Sequence, residues 1–167
     1  RTEDGARERS GIVVDWVSRI RMRHSLSVST MKTDCIFCKI IKGELPSTKV
    51  YEDEDVLAFL DIKPVNPGHT LVIPKKHYEN IHDMPDALVG KMAVAAKKIA
   101  DAILALGAKG VNIGMNNGEA AGQIVFHAHV HVMPRYGQDS FSLWVGKEYD
   151  GNERALVAEK MQAALKS

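Results

Sequence analysis

The sequence predicts an α+β domain built on an antiparallel five-stranded sheet, with one long helix and a C-terminal helix. Short apolar segments bounded by turn residues recur along the chain, a pattern typical of strands. A single long stretch instead repeats its apolar side chains at three- and four-residue steps, which is typical of a helix. The strands are joined mostly by short turns, and short connections favour antiparallel pairing.

Each predicted strand ends at residues that favour a turn. The predicted strands cover residues 49–52, 56–60, 69–74, 111–115 and 126–133. The acidic segment 53–55 connects the first two strands, and a polar, glycine-containing loop over 116–122 connects the last two. Pro134 is expected to end the fifth strand because proline has no amide hydrogen to donate.

The long helix is predicted between Pro85 and Leu106, with Asp83 capping its start and Gly107 its end. Its apolar face is formed by Leu88, Met92, Ala96, Ile99, Ile103 and Leu106. Residues 35–42 suit a turn that leads into a short helix.

The C-terminal helix is predicted to begin after Asn152, a residue type that favours the N-cap position. Its apolar residues Leu156, Met161 and Leu165 are expected to face inward. This helix would then pack against the rest of the domain.

The composition fits one ordinary globular domain, since 45% of the 167 residues are hydrophobic and 26% are charged. The formal net charge is only +1, with acidic and basic residues intermixed, which excludes the basic footprint of a protein that binds a nucleic-acid polymer. No apolar run approaches the roughly 18 residues that cross a bilayer. We therefore expect a cytoplasmic protein with a small-molecule substrate and no membrane partner.

Residues 1–33 differ from the rest and are interpreted as an N-terminal extension, with the domain covering 34–167. Arginines surround a short amphipathic stretch in the extension, as in organelle transit peptides. Its acidic residues are too numerous for a good transit sequence. We expect an appended segment without a catalytic role, and organelle targeting by residues 1–30 is the alternative.

Three histidines, His127, His129 and His131, alternate with apolar residues near the fifth strand. Side chains in a strand alternate between its two faces, so the three imidazoles should share one face. Their attachment points spread over about 13 Å of extended chain. One metal ion would need each nitrogen within about 2.1 Å, which disfavours a three-histidine zinc site. The pattern favours instead one nucleophilic histidine whose neighbours bind phosphate.

The segment 126–133 resembles the defining motif of the histidine-triad (HIT) superfamily, and the similarity covers nearly all of residues 34–136. The other segments that carry it are 34–41, 61–62, 68–77, 116–118, 122–123 and 133–136. In order and spacing they are most similar to the Hint-like branch, in its cysteine-containing, zinc-binding subtype. The resemblance implies the HIT fold and hydrolysis of purine nucleotide derivatives at the α-phosphorus.

The resemblance also implies a role for each matching residue. His129 would attack the α-phosphorus and form a nucleotidyl-histidine intermediate that water cleaves, since neutral imidazole is a competent nucleophile near pH 7. His131 would stabilise the charge on the phosphate oxygens during catalysis. The implied phosphate ligands are His69, Asn116, Gln123 and His131. The implied ribose and base contacts are Asp61, Ile36, Phe37, Ile40, Phe59 and Ile62.

The cysteines form a Cys35-x-x-Cys38 pair, a spacing better suited to a metal or a redox pair than to a disulfide that staples the fold. In the resemblance, Cys35, Cys38, His77 and His127 match the four ligands of a zinc ion. Two thiolates and two imidazoles suit tetrahedral zinc. A site with four protein ligands leaves no position for substrate, so the zinc would be structural. No redox cofactor is expected.

Several activities fit this resemblance. The favoured one is a purine nucleoside phosphoramidase, and hydrolysis of dinucleoside polyphosphates is the alternative in the same class. An adaptor or sensor that binds nucleotides, with incidental turnover, is the alternative in another class. Superfamily transferases carry Gln where this chain has His131, which favours hydrolysis. The resemblance also implies a homodimer in which the long helix and a strand edge join two copies.

Ile124 departs from the Hint-like pattern. Hint-like hydrolases usually have Ser or Thr directly after the Gly-Gln pair, and that hydroxyl would lie near the bridging atom as the leaving group departs. Here the position offers only a hydrocarbon. We therefore expect Ile124 to affect which leaving groups are tolerated.

Overall fold

The computed structural model describes residues 34–166. Its strands are β1 (Lys49–Glu52), β2 (Val56–Leu60), β3 (Thr70–Pro74), β4 (Gly110–Gly114) and β5 (Val130–Arg135). Its α-helices are α1 (Ile36–Ile41), α2 (Asp86–Ala105) and α3 (Glu153–Ala164), and short 3-10 turns cover Ile81–Asp83 and Glu119–Ala121. The predictions made for residues 1–33 lie outside the described residues.

The strands form one sheet in the order β1-β2-β3-β5-β4, with every neighbouring pair antiparallel. The predicted α+β class, with five antiparallel strands, is therefore confirmed. The non-sequential step from β3 to β5 places β5 inside the sheet and β4 at its edge. The chain between β3 and β4 contains α2, and this long connection lets β4 lie at the edge of the sheet with β5 between it and β3.

Both faces of the sheet are covered, because successive residues of β2 contribute to two different apolar clusters. Val56 and Ala58 pack with the buried face of α2, whereas Leu57 and Phe59 pack with Phe37 of α1 on the opposite side. Strands buried on both faces appear in the sequence as continuous apolar runs. The α1 side of the sheet is the side that carries the histidines.

The long helix begins later than its predicted cap. Asp83 belongs to the preceding 3-10 turn, and Pro85 occupies the N-cap position without a side-chain hydrogen bond, so the Asp83 cap is wrong. Proline disfavours a helical conformation in the residue before it, and Met84 is extended. At the other end Gly107 adopts a φ of +98° just after the C-cap, as a glycine that ends a helix does.

The fifth strand begins at Val130 rather than at residue 126, and it continues through Pro134 to Arg135. Pro134 does not interrupt the ladder because its main chain points away from β4, and its carbonyl accepts a hydrogen bond of 2.9 Å from the Asn66 side chain. The missing amide hydrogen therefore removes no bond to β4. The expectation that Pro134 ends the strand is wrong for this reason.

The C-terminal helix is present, but its predicted packing is not. Leu156, Met161 and Leu165 are 45%, 61% and 85% exposed, and no residue of α3 is buried by the part of the chain that the structure describes. Asn152 precedes the helix without forming a side-chain cap. The expectation that this face points inward is wrong for the single chain, because α3 follows a largely exposed, irregular segment over 138–150 and keeps its apolar side chains in solvent.

Candidate active site and metal centre

The three histidines of the alternating motif share one face, as predicted from their spacing. His127 and His129 precede β5, and His131 lies within it. The ring centroids of His129 and His131 are 4.9 Å apart, and the Phe37 ring contacts both His127 and His129 edge-on. His127 is fully buried and His129 is 6% exposed. The shared face thus begins at a bend over residues 125–127 and continues into β5.

His129 has one ring nitrogen committed to the main chain. Its Nδ1 lies 2.7 Å from the carbonyl oxygen of His127. A carbonyl can only accept, so Nδ1 carries the hydrogen and Nε2 keeps its electron pair. Burial lowers the pKa of His129, and the hydrogen bond to His127 partly opposes this effect. The imidazole is therefore neutral near pH 7 and can act as a nucleophile through Nε2.

His69 and His131 form a second chain of hydrogen bonds. The Val65 amide donates to Nδ1 of His69 over 3.3 Å, so His69 carries its hydrogen on Nε2. That Nε2 lies 3.0 Å from Nδ1 of His131 and donates to it. His131 must then carry a hydrogen on its own Nε2. A neutral N–H donor beside His129 could donate to a phosphate oxygen and stabilise its charge.

Asp61 lies behind this pair, with its carboxylate 3.6 Å from Nδ1 of His69. The contact would be an ion pair only if His69 were protonated. Burial lowers the pKa of His69 more than the Asp61 charge raises it, which favours the neutral ring. Asp61, His69 and His131 place their ligand atoms within 4.8 Å of one another. The structure therefore brings together the predicted ribose ligand and two predicted phosphate ligands.

His131 should stay neutral through the pH range in which histidines usually titrate. Burial, together with His129 and His69, lowers the pKa of His131 to about 4. A histidine with a lowered pKa stays neutral as the pH falls through 6.5, the value for an unperturbed ring. In nucleotide-free protein the His131 ring should therefore show no titration between pH 8 and pH 5. NMR shifts of the histidine rings over this range would test it, with His131→Gln to assign the His131 signals, and a His131 transition near pH 6.5 would contradict it.

A second cluster joins the two cysteines to two histidines. Nδ1 of His127 lies 3.4 Å from Sγ of Cys35, 3.7 Å from Sγ of Cys38 and 3.2 Å from Nδ1 of His77. Sγ of Cys38 lies 3.4 Å from Nδ1 of His77. Tetrahedral zinc with ordinary bond lengths separates its ligand atoms by roughly 3.3–3.8 Å. The four donors predicted from the resemblance therefore fit one tetrahedral ion.

The hydrogen bonding around this cluster also suits a metal. Nε2 of His127 donates to the carbonyl of Pro74 over 2.9 Å, which leaves the Nδ1 electron pair directed at the cysteines. Burial lowers the pKa of His127 to about 4, so the ring is neutral. Metal ligation requires a neutral imidazole. The structure thus leaves the Nδ1 electron pair of His127 available for a zinc ion.

The remaining predicted phosphate ligands lie in the loop before β5. The Gln123 side chain donates to the carbonyls of Glu79 and Val125 and accepts from the Gly118 amide. All its hydrogen-bonding groups are engaged, so it supports the loop, and its predicted donation to phosphate finds no free hydrogen in this geometry. Asn116 makes only a 3.3 Å bond to the Gly122 carbonyl. Its contact with phosphate stays a prediction.

The predicted base pocket divides into a buried and an exposed part. Phe37, Ile40 and Phe59 are buried in the apolar cluster beneath the histidines. Ile36 and Ile62 are exposed, Ile62 by 94%. The buried residues form a wall of the site and the exposed ones lie where a base could cover them. Their contact with a purine stays a prediction.

Sequence reasoning missed the main-chain groups that fix the imidazoles. These groups are the carbonyls of Pro74 and His127 and the amide of Val65. Every residue type except proline carries the same donor and acceptor, so the sequence holds no signal for them. They decide which nitrogen of each ring is available.

The HIT domain model matches residues 42–138, more than half of the chain. This chain belongs to the HIT family. The HIT-family relative HINT3 of Arabidopsis thaliana, an adenylylsulfatase, is 42% identical over 80% of this chain and 68% of its own. HNT1 of Saccharomyces cerevisiae, an adenosine 5'-monophosphoramidase, is 37% identical over 82% of this chain and 86% of its own. The family assignment and these two relatives show a nucleotide hydrolase at the level of the family.

Solved HIT-family structures share the fold. A Streptococcus mutans protein is 48% identical and superposes with a TM-score of 0.77, over 83% of this chain and 89% of its own. A zinc-bound histidine-triad protein of Mycobacterium smegmatis is 41% identical, with a TM-score of 0.63 over 80% of this chain and 98% of its own. The predicted HIT fold is confirmed.

Among the described residues, no helix is both long and apolar enough to span a bilayer.

Proposed function

We propose that this HIT protein hydrolyses purine nucleotide derivatives at the α-phosphorus through a covalent intermediate on His129. The observation that carries the proposal is the 2.7 Å hydrogen bond from Nδ1 of His129 to the His127 carbonyl, which leaves Nε2 unprotonated. A buried neutral imidazole held in one tautomer is a prepared nucleophile. The predicted roles of Asp61 in ribose binding and of Phe37 in base binding belong to this proposal.

The reaction has two steps at the same phosphorus. The Nε2 electron pair of His129 forms a bond to phosphorus, and the bond to the leaving group breaks with its electrons departing on that group. Water then attacks the phosphorus, the P–N bond electrons return to Nε2, and a proton from the water goes to solvent. The Nε2–H group of His131 would donate to a phosphate oxygen in both steps and stabilise its charge.

A substrate panel tests this proposal and separates the alternatives. We expect steady turnover of an adenosine phosphoramidate, an adenylyl sulfate or a dinucleoside polyphosphate, because all three carry an α-phosphorus that His129 could attack. Hydrolysis of adenylyl compounds by HINT3 and HNT1 favours this class. Tight binding of adenosine monophosphate without measurable turnover of any of the three would instead support the adaptor or sensor function.

The rate with different leaving groups should depend on Ile124. Its side chain is 89% exposed and therefore does not pack in the core. A basic leaving group needs a proton as it departs, and one positioned donor contributes on the order of a hundredfold in rate. We expect Ile124→Thr to raise turnover of alkyl phosphoramidates selectively and to leave aryl esters and polyphosphates nearly unchanged. Ile124→Val is the matched control, because Val and Thr share a shape and differ in the hydroxyl. An equal change for every substrate in both variants would contradict this expectation.

We further propose that the Cys35, Cys38, His77 and His127 cluster holds a structural zinc ion. The support is the tetrahedral spacing of its donors and the zinc-bound relative from Mycobacterium smegmatis. Thiolate and imidazole ligands are those that zinc prefers. The ion would fix α1 to the loops that precede β5 and follow β3.

A homodimer is also part of the proposed function. β4 is an edge strand, and its Ile113 is 53% exposed. An apolar groove of about 370 Å³ lies between α2 and β4, with Met92, Ala96, Ile113 and Met115 among its lining residues. An unpaired edge next to an apolar helix face is a surface on which a second copy can continue the sheet.

A further inference from the structure

Phe37 connects the metal cluster to the nucleophile. It is one of the two residues between Cys35 and Cys38, so any ion held by these cysteines also fixes the position of its ring. The ring is 6% exposed and meets the His129 ring edge-on, with centroids 5.4 Å apart and planes at 81°. It meets His127 in the same way at 5.8 Å. Phe37 therefore restricts the plane of the His129 imidazole from the side of the metal.

His127 provides a second connection. Its Nδ1 belongs to the metal cluster, while its main-chain carbonyl accepts the hydrogen bond from Nδ1 of His129. The same residue thus binds the predicted ion and determines which nitrogen of the nucleophile is protonated. A rotation of His127 away from the cysteines would move the carbonyl on which the His129 tautomer depends.

The local structure makes this connection sensitive to the metal. Helix α1 spans only six residues, and its N-cap Cys35 forms no side-chain cap. A helix this short does not hold itself together in water. Its attachments are the two thiols and the apolar contacts of Phe37 and Ile40. Loss of the ion would remove the attachment nearest to the Phe37 ring.

We propose that the metal cluster positions the catalytic nucleophile: the ion, through Phe37 and the His127 carbonyl, holds the His129 ring with Nε2 free for attack. Phe37 is then a positioning residue in addition to a wall of the base pocket. This inference rests on the proposed function for its catalytic meaning, but its geometric content concerns the protein without nucleotide.

The test follows the His129 tautomer in nucleotide-free protein by long-range ¹H–¹⁵N correlation at pH 8. Zinc-loaded wild type should show His129 protonated at Nδ1 alone. Zinc-loaded Phe37→Leu should show a mixture of the two tautomers. The ratio of the Nδ1–H to the Nε2–H form should fall by about fivefold, which is the effect of losing the net contribution of one ordinary hydrogen bond. Zinc-stripped wild type should show the same shift. A role limited to base binding would leave the tautomer unchanged, because no base is present.

Leu57→Ala is the matched control, since Leu57 is fully buried in the same apolar cluster and has no ring contact with His129. It should lower the melting temperature at least as much as Phe37→Leu and leave the tautomer at Nδ1. A single Nδ1 tautomer in both Phe37→Leu and zinc-stripped protein would overturn the inference, as would an equal shift in Leu57→Ala. If the tautomer responds as expected while no substrate of the panel is turned over, the coupling stands and the proposed activity fails.

Discussion

Replacing His129 by alanine should reduce turnover of every substrate by about a thousandfold or more, because the substitution removes the proposed nucleophile. Binding of adenosine monophosphate should change by only a fewfold, since Asp61 and His131 are retained. Wild-type protein quenched during turnover should carry a nucleotidyl group on His129, seen by mass spectrometry of the peptide that contains it. The variant should carry none.

His82→Ala is the control for this experiment. His82 is exposed in the 3-10 turn before α2, and its side chain takes no part in the site. The His82→Ala variant should turn over substrate at the wild-type rate. A His129→Ala protein that keeps more than a few per cent of wild-type activity would refute the covalent mechanism, and an adduct found on another residue would reassign the nucleophile.

The second large effect concerns the metal. Protein purified without chelator should contain about one zinc per chain, because two cysteines and two histidines in tetrahedral spacing bind zinc strongly and release the thiol protons as they do so. Removing it should lower the melting temperature by about 10 °C or more, since a few kcal/mol of lost stability shifts a domain of this size by that amount. Metal analysis combined with thermal unfolding, before and after chelation, measures both quantities.

Cys38→Ser distinguishes the stabilising effect of a bound metal from that of the cysteine side chain itself. The Cys38 side chain is buried, so serine removes a metal ligand with little change in volume. In zinc-loaded samples the variant should melt well below wild type, whereas in chelated samples the two should melt at similar temperatures. Absence of zinc from wild-type protein, or an equal difference between the two proteins in both conditions, would show that the cluster stabilises the fold without a metal.

Local patterns were sufficient for most of the secondary structure. The β1 and β2 boundaries agree with the prediction, because turn residues bracket short apolar runs. The apolar period of α2 located that helix to within a residue at each end. The Asp83 cap failed for a local reason, because Pro85 keeps Met84 extended and delays the start of the helix. The effect of Pro134 and the direction of the α3 face failed because they depended on neighbours that are close only in space.

In the site, too, some features were predicted from the sequence and others depended on the structure. The alternation of the histidines predicted their common face, and the resemblance brought together the four metal ligands that the structure places within 4.8 Å of one another. The resemblance gave His69 a contact with phosphate, and in the structure His69 is 4% exposed and hydrogen-bonded to His131, so that contact stays a prediction. It gave Gln123 the same role, yet the structure engages its amide with the main chain. Residue types identified the candidate site residues, and the distances in the structure identified their hydrogen-bond partners.

By itself the sequence determined the α+β class, the amphipathic long helix and the shared face of His127, His129 and His131, because these depend on periodicities that are local to the chain. Only the tertiary structure decided which nitrogen of His129 is free, since that depends on a main-chain carbonyl present in every residue. It also placed Phe37 between the predicted metal ligands and His129, a contact between segments about ninety residues apart in the chain. Folding brings such segments together through packing, and packing depends on three-dimensional shape that no local pattern encodes.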